Sequence, residues 1–205
     1  MRRPALVSIK PSLYVNMRKA FFFVAIKIPV AKQKMEIINK IRGSLKNEKI
    51  KWVESWNLHI TLFFLGDTLD DVIQPLAEKL EKQLNQVRYF KLQLKGLGVF
   101  QSVRDPKVIW IGINKSPELQ MLKNEIDTIM VDFGFKAEER EFKAHLTLGR
   151  VKWIDSKPLI KKLIEENAET DFGEVAIDQV IFYESRLTPQ GPVYKSLKQI
   201  DLKKN

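Results

Sequence analysis

His59-Ile60-Thr61-Leu62 and His145-Leu146-Thr147-Leu148 are two copies of one pattern, set 86 residues apart. The chain has 205 residues and two histidines, and each histidine has Thr two places on. Thr stands at only six positions: 61, 68, 128, 147, 170 and 188. Random placement would give both matches with odds on the order of one in a thousand, far outside the usual chance level of a short motif. In a strand, residues i and i+2 share a face. His59 and Thr61 then point one way while Leu58, Ile60 and Leu62 point into a core. His145 and Thr147 are set against Ala144, Leu146 and Leu148 in the same manner.

The 86-residue shift carries the flanking elements too. The apolar strand at Phe21 lands on Lys107, the helix at Val30 on the Ser116 cap, and the strand at Phe90 on Ala176. Each unit reads strand, helix, motif strand, helix, strand, over about 21–106 and 107–192, with a last strand from Val193. One repetition is too few for a solenoid. It predicts an α+β fold of two lobes related by a pseudo-two-fold axis, with helices covering the outer faces of mixed sheets.

In chain order, Ala20 to Ile28 reads as a central strand with Phe21, Phe22 and Phe23 in the core. Helical spacing of Met35, Ile37, Ile38, Ile41 and Leu45 predicts a helix over Val30 to Asn47. A short strand at Lys51 to Glu54 precedes the motif strand, Leu58 to Leu65. Asp67 or Thr68 would cap a helix from Leu69 to Val87. A strand from Phe90 to Leu97 gives way to a loop through Gly96–Phe100 and Arg104-Asp105-Pro106. Lys107 to Ile113, a Ser116-capped helix ended by Gly134, and Ala144 to Val151 follow. Ser156 opens a helix to about Ala168. One strand from Val175 to Tyr183, a Pro189–Pro192 turn and a strand from Val193 to Leu202 complete the chain.

With 44% hydrophobic and 29% charged residues, the chain can build a core and is not globally disordered. There is no cysteine, which excludes disulfides and thiolate metal sites. A net charge of +10 favours an anionic partner such as nucleic acid, or serves solubility alone. Met17-Arg18-Lys19 before Ala20–Ile26 imitates a signal peptide. The run is too short to span a membrane and no small-residue cleavage site follows. The expectation is a soluble, cytoplasmic protein that makes no use of a membrane. Residues 1–16 read as an N-terminal extension, with Met17 as an alternative start and 17–205 as a single two-lobed domain.

Across a pseudo-two-fold cleft, two imidazoles and two hydroxyls would surround one point. That suits displacement at phosphorus. One His takes a proton from the attacking oxygen and the other gives one to the leaving oxygen, each contributing roughly 10²–10⁴-fold. Thr61 and Thr147 would donate to non-bridging oxygens. Neither a metal nor any other cofactor is required. A two-His zinc site would leave the paired Thr unexplained.

The paired H-x-T-x motifs resemble those of the 2H phosphoesterases. FFFVAIKIP at 21–29, NLHITLFFLGD at 57–67, GVFQSVRDPKVIWIGI at 98–113, HLTLGRVK at 145–152 and FYESRLTPQGPVYKSL at 182–197 resemble the RNA 2′,3′-cyclic phosphodiesterase branch, also called 2′-5′ RNA ligase. The resemblance implies a bilobal α+β fold with two mainly antiparallel sheets lining a central cleft. It implies His59 as proton donor and His145 as proton acceptor, with no nucleotide cofactor. The substrate would be RNA with a 2′,3′-cyclic phosphate end, tRNA fragments among the candidates, opened to a 2′-phosphate by a monomeric enzyme. The reverse direction would be 2′-5′ ligation. Arg140 and Arg150, five residues either side of His145, match the family pattern as phosphate contacts. Five is an odd spacing, so a regular strand would turn both away from His145 unless a bulge intervenes. Where Pro is frequent in the family, Ala144 and Glu141 stand here, and Phe64 holds the place of Arg150 in the first copy. The competing readings are an RNA- or nucleotide-binding module without turnover and a phosphodiesterase for small cyclic phosphates.

Overall fold

The computed structural model describes residues 21–29, 32–136, 140–189 and 191–204. The readings made for residues 1–16 and for a helix start at Val30 lie outside these. Among the described residues nine strands form two antiparallel sheets. The four-stranded sheet has the order β3 (His59–Asp67), β1 (Phe21–Lys27), β8 (Gln179–Thr188), β9 (Gly191–Asp201). The five-stranded sheet runs β2 (Lys49–Trp52), β6 (His145–Trp153), β5 (Asp105–Ile113), β4 (Phe90–Ser102), β7 (Asp171–Ile177). The helices are α1 (Lys32–Ser44), α2 (Asp70–Leu84), α3 (Pro117–Asp132) and α4 (Lys157–Glu166). No described helix is long and apolar enough to cross a membrane.

The α+β, two-sheet expectation holds, and the repeat is visible as β3–β1 against β6–β5. Neither sheet is built from one repeat alone. β4, the last strand of the first unit, pairs with β5, while β8 of the second unit pairs with β1. This exchange corrects the single strand expected over Val175–Tyr183. The chain turns at Asp178, so that β7 lies beside β4 and β8 beside β1. Asp178-Gln179 is the one polar break in this apolar run, and it gave no sign of a change of sheet.

Two further expectations are corrected. Gly96–Phe100 belongs to β4 rather than to a loop. A Cβ on Gly98 would lie 2.3 Å from the Trp110 indole, so this glycine makes room for a ring across the sheet instead of marking a turn. Helix α2 has Leu69 as its cap residue, with no side-chain capping bond, so neither Asp67 nor Thr68 acts as cap. Asp67 instead closes β3, opposite Phe21. The expected Ser116 cap is present, accepting from Leu119 N–H at 3.1 Å, and Gly134 (φ 82°) ends the helix.

One core joins both sheets and the helices. Ile60 and Leu62 of β3, Leu146 and Leu148 of β6, Leu76 and Leu80 of α2, and Leu122 and Ile126 of α3 are all fully buried within it. Burying each such side chain stabilises by about 1.5–3 kcal/mol. Lys123 of α3 is buried among them. It pairs with Asp127 and places its ammonium 5.6 Å from the Phe63 ring and 5.5 Å from Phe142. It thereby ties β3 to the segment leading into β6.

Candidate active site

β3 and β6 share the burial sequence of their first seven residues, which is the structural form of the repeated motif. His59, Thr61, His145 and Thr147 are half-buried, while the intervening Ile60, Leu62, Leu146 and Leu148 are core. The two strands come within 8 Å of each other, Cα to Cα.

The same bulge interrupts both strands. Val24 pairs with Phe63 and Ala25 with Thr61, which leaves Leu62 unopposed. Ile109 pairs with Gly149 and Trp110 with Thr147, which leaves Leu148 unopposed. A bulge shifts the side-chain alternation by one. Gly112, Trp110 and Val108 lie on one face of β5 and oppose His145, Thr147 and Arg150 in turn. Arg150 is therefore returned to the histidine face despite its odd spacing. Phe64 takes the matching place in β3, 61% exposed and stacked on Phe21 at 6.2 Å. The cleft has a guanidinium on one side and an aromatic ring on the other. Arg140 is exposed in the segment before β6, and the charge that reaches both histidines is that of Arg150.

Each imidazole is fixed by its own chain. His59 Nδ1 lies 2.6 Å from the Asn57 carbonyl oxygen, and His145 Nδ1 lies 2.7 Å from that of Lys143. A carbonyl only accepts, so Nδ1 carries the hydrogen in both rings and Nε2 presents a lone pair when the ring is neutral. Aromatic rings hold the orientation. Phe23 packs 5.2 Å from His59, Tyr194 meets it edge-on at 5.3 Å, and Phe100 meets His145 edge-on at 4.6 Å. Phe22 and Phe23 are buried as expected, while Phe21 is only half-buried. Phe22 enters the main core, but Phe23 joins Ala25, Ile181 and Tyr183 in a separate cluster beneath His59.

Burial lowers the pKa of both histidines, and the carbonyl hydrogen bonds oppose it in part. Arg150 lowers both further, and His145 adds to the effect on His59. Tyr183 and Tyr194 are pushed up by burial, with Arg150 pulling Tyr194 back. Arg150 is thus felt on both sides of the cleft. Both shifts favour the neutral imidazole in the free protein. If one must be protonated and the other not, kcat/KM should be bell-shaped with its maximum on the acid side of the ordinary histidine value of about 6.5. A bound phosphodiester anion favours the imidazolium, so the limbs of kcat should lie at higher pH than those of kcat/KM. Steady-state rates across pH 4–9 check both signs.

Tyr194, Phe100 and the two backbone carbonyls were not singled out by sequence reasoning. The carbonyls belong to Asn57 and Lys143, which share only the position two before a histidine. Tyr194 lies in the family-like stretch 182–197 but is distant in sequence from either motif.

Two antiparallel sheets, each presenting a bulged His-x-Thr strand to one cleft, define the two-histidine phosphoesterase class. The chain belongs to the 2′-5′ RNA ligase superfamily, whose family model matches residues 28–188. It is 41% identical over 180 residues to the RNA 2′,3′-cyclic phosphodiesterase of Methanocaldococcus jannaschii, covering 86% of this chain and 98% of that one. It is 36% identical over 181 residues to the protein of the same name from Thermotoga maritima, covering 87% and 92%. Its fold matches the crystal structure of E. coli LigT complexed with 3′-AMP, at a TM-score of 0.71 and 24% identity over 89% of this chain and 97% of that one.

Proposed function

We propose that this protein hydrolyses 2′,3′-cyclic phosphate ends of RNA to 2′-phosphomonoesters. The observation that carries the reading is the pair of Nδ1-anchored imidazoles on one cleft, with the Arg150 charge acting on both. Names of relatives supply the substrate.

In this mechanism His145 Nε2 removes a proton from water as its oxygen bonds to phosphorus. The bond from phosphorus to O3′ breaks, and His59, entering as imidazolium, gives its Nε2 proton to O3′. Donor and acceptor are assigned by the family resemblance. Thr61 and Thr147 donate to the non-bridging oxygens and Arg150 neutralises the phosphoryl charge. His145 ends protonated and His59 neutral, and proton exchange with solvent resets them. With a 5′-hydroxyl in place of water, His145 takes the proton of that hydroxyl as its oxygen bonds to phosphorus. The bond to O3′ breaks with His59 protonating O3′, and the product is a 2′-5′ linkage. The chain supplies every proton transfer in this scheme. tRNA fragments with cyclic ends are candidate substrates, and the work is assigned to a monomer in the cytoplasm.

The test is product analysis on an oligoribonucleotide ending in a 2′,3′-cyclic phosphate. The expected product carries a 2′-phosphate. Binding of that RNA without any product would favour a binding module instead. A 3′-phosphate product would contradict the placement of O3′ at the proton donor.

A further inference from the structure

The cleft face of the five-stranded sheet continues beyond Arg150 along its outer edge. β2 is the edge strand, and its residues Lys51, Ile50 and Lys49 oppose Arg150, Val151 and Trp153 of β6. Ile50 and Val151 pack on the core. Directly opposed residues share a face, and i and i+2 on unbulged β2 do as well. Lys51 and Lys49 are therefore on the face of Arg150. A second bulge, at Lys152, brings Trp153 onto it too. Six strand steps separate Trp153 from His145, about 20 Å at ~3.3 Å per residue.

This track is cationic and ends in an aromatic face. Lys49 and Lys51 are exposed, and among the described residues neither they nor Lys152 pairs with a carboxylate. Trp153 is 60% exposed, and its indole N–H is pinned by Asp155 at 2.5 Å. Asp155 is held in turn by its own N–H to Glu48. A hollow of about 320 Å³ adjoins the indole, with Arg104 and Lys157 on its rim; Lys107 there is neutralised by Asp105 at 2.8 Å. Lysines alone on an edge strand serve to block pairing with another sheet. A rotationally fixed tryptophan beyond them adds nothing to that purpose. Cations leading to an aromatic platform are the elements of single-strand recognition.

We infer that the edge track from Lys51 through Lys49 to Trp153 binds the single-stranded RNA body upstream of the cyclic phosphate, with lysines on the phosphates and a base stacked on Trp153. The inference rests on RNA being the substrate. It makes the protein a reader of oligonucleotide ends in preference to cyclic mononucleotides.

The test compares kcat/KM on a 2′,3′-cyclic mononucleotide, which cannot reach the track, with that on a single-stranded oligoribonucleotide bearing the same end. Trp153→Ala should lower the oligonucleotide value about tenfold and leave the mononucleotide value within about twofold. Trp153→Tyr should restore most of the loss. Lys49→Glu should act in the same direction and flatten the salt dependence of oligonucleotide binding by about 0.7 in log–log slope per lost phosphate contact. Equal losses on both substrates, or none on either, would overturn the track. If wild-type protein turns over neither substrate, the proposed activity fails. Fluorescence anisotropy with labelled single-stranded RNA then decides the track separately: binding unaltered by Trp153→Ala and Lys49→Glu would reject it.

Discussion

Alanine at His145 or at His59 should each remove 2′,3′-cyclic phosphate hydrolysis by roughly 10²–10⁴-fold or more, while the protein stays folded. Both rings are half-buried at strand starts, and their flanking Leu58, Ile60 and Leu146 carry the packing. The loss should therefore appear in kcat, with thermal unfolding little changed. The double variant should cost much less than the product of the two single losses, because an acid and a base serving one displacement act as a unit. Rates from single-turnover assays, beside melting curves, check this. A single variant with full activity would remove that histidine from the chemistry.

Arg150→Met should produce the second largest effect, on the order of 10²–10³-fold in kcat/KM, the scale of removing a donor that meets transition-state charge. Its signature is in the pH profile. Arg150 lowers both histidines. Without it both pKa values rise, and the whole bell should move to higher pH. A merely structural role would lower the rate without moving the limbs. Arg150→Lys should keep the direction of the electrostatic effect and lose the two-pronged contact with phosphate, leaving an intermediate rate. Arg140→Met, on the exposed segment before β6, should show no shift of the limbs.

Much of this site was legible before any coordinates. Strand periodicity placed each His with its Thr on one face, and the 86-residue shift paired the two strands. The bulge at Leu62 and Leu148 was not legible, since it depends on which partner residue each one faces, and sequence spacing carries no register. That single displaced residue decides whether Arg150 meets the substrate or faces away. The exchange of β4 and β8 between sheets was hidden for a related reason. Asp178 and Gln179 are a two-residue polar break in an apolar stretch, and nothing local says that the strands either side of it join different sheets. Gly98 misled in the opposite sense, because a glycine that accommodates the Trp110 ring looks the same as one that makes a turn.

The central claim is that two opposed imidazoles divide the proton transfers, one to the leaving oxygen and one from water. A substrate whose cyclic phosphate has sulfur in place of O3′ tests it most directly, since a thiolate departs without needing a proton. The account predicts that His59→Ala regains most of its activity on this substrate, while His145→Ala stays as impaired as on the natural ester. Rescue of His145→Ala in place of His59→Ala would reverse the assignment. Failure of the sulfur substrate to rescue either variant would contradict the division of labour itself.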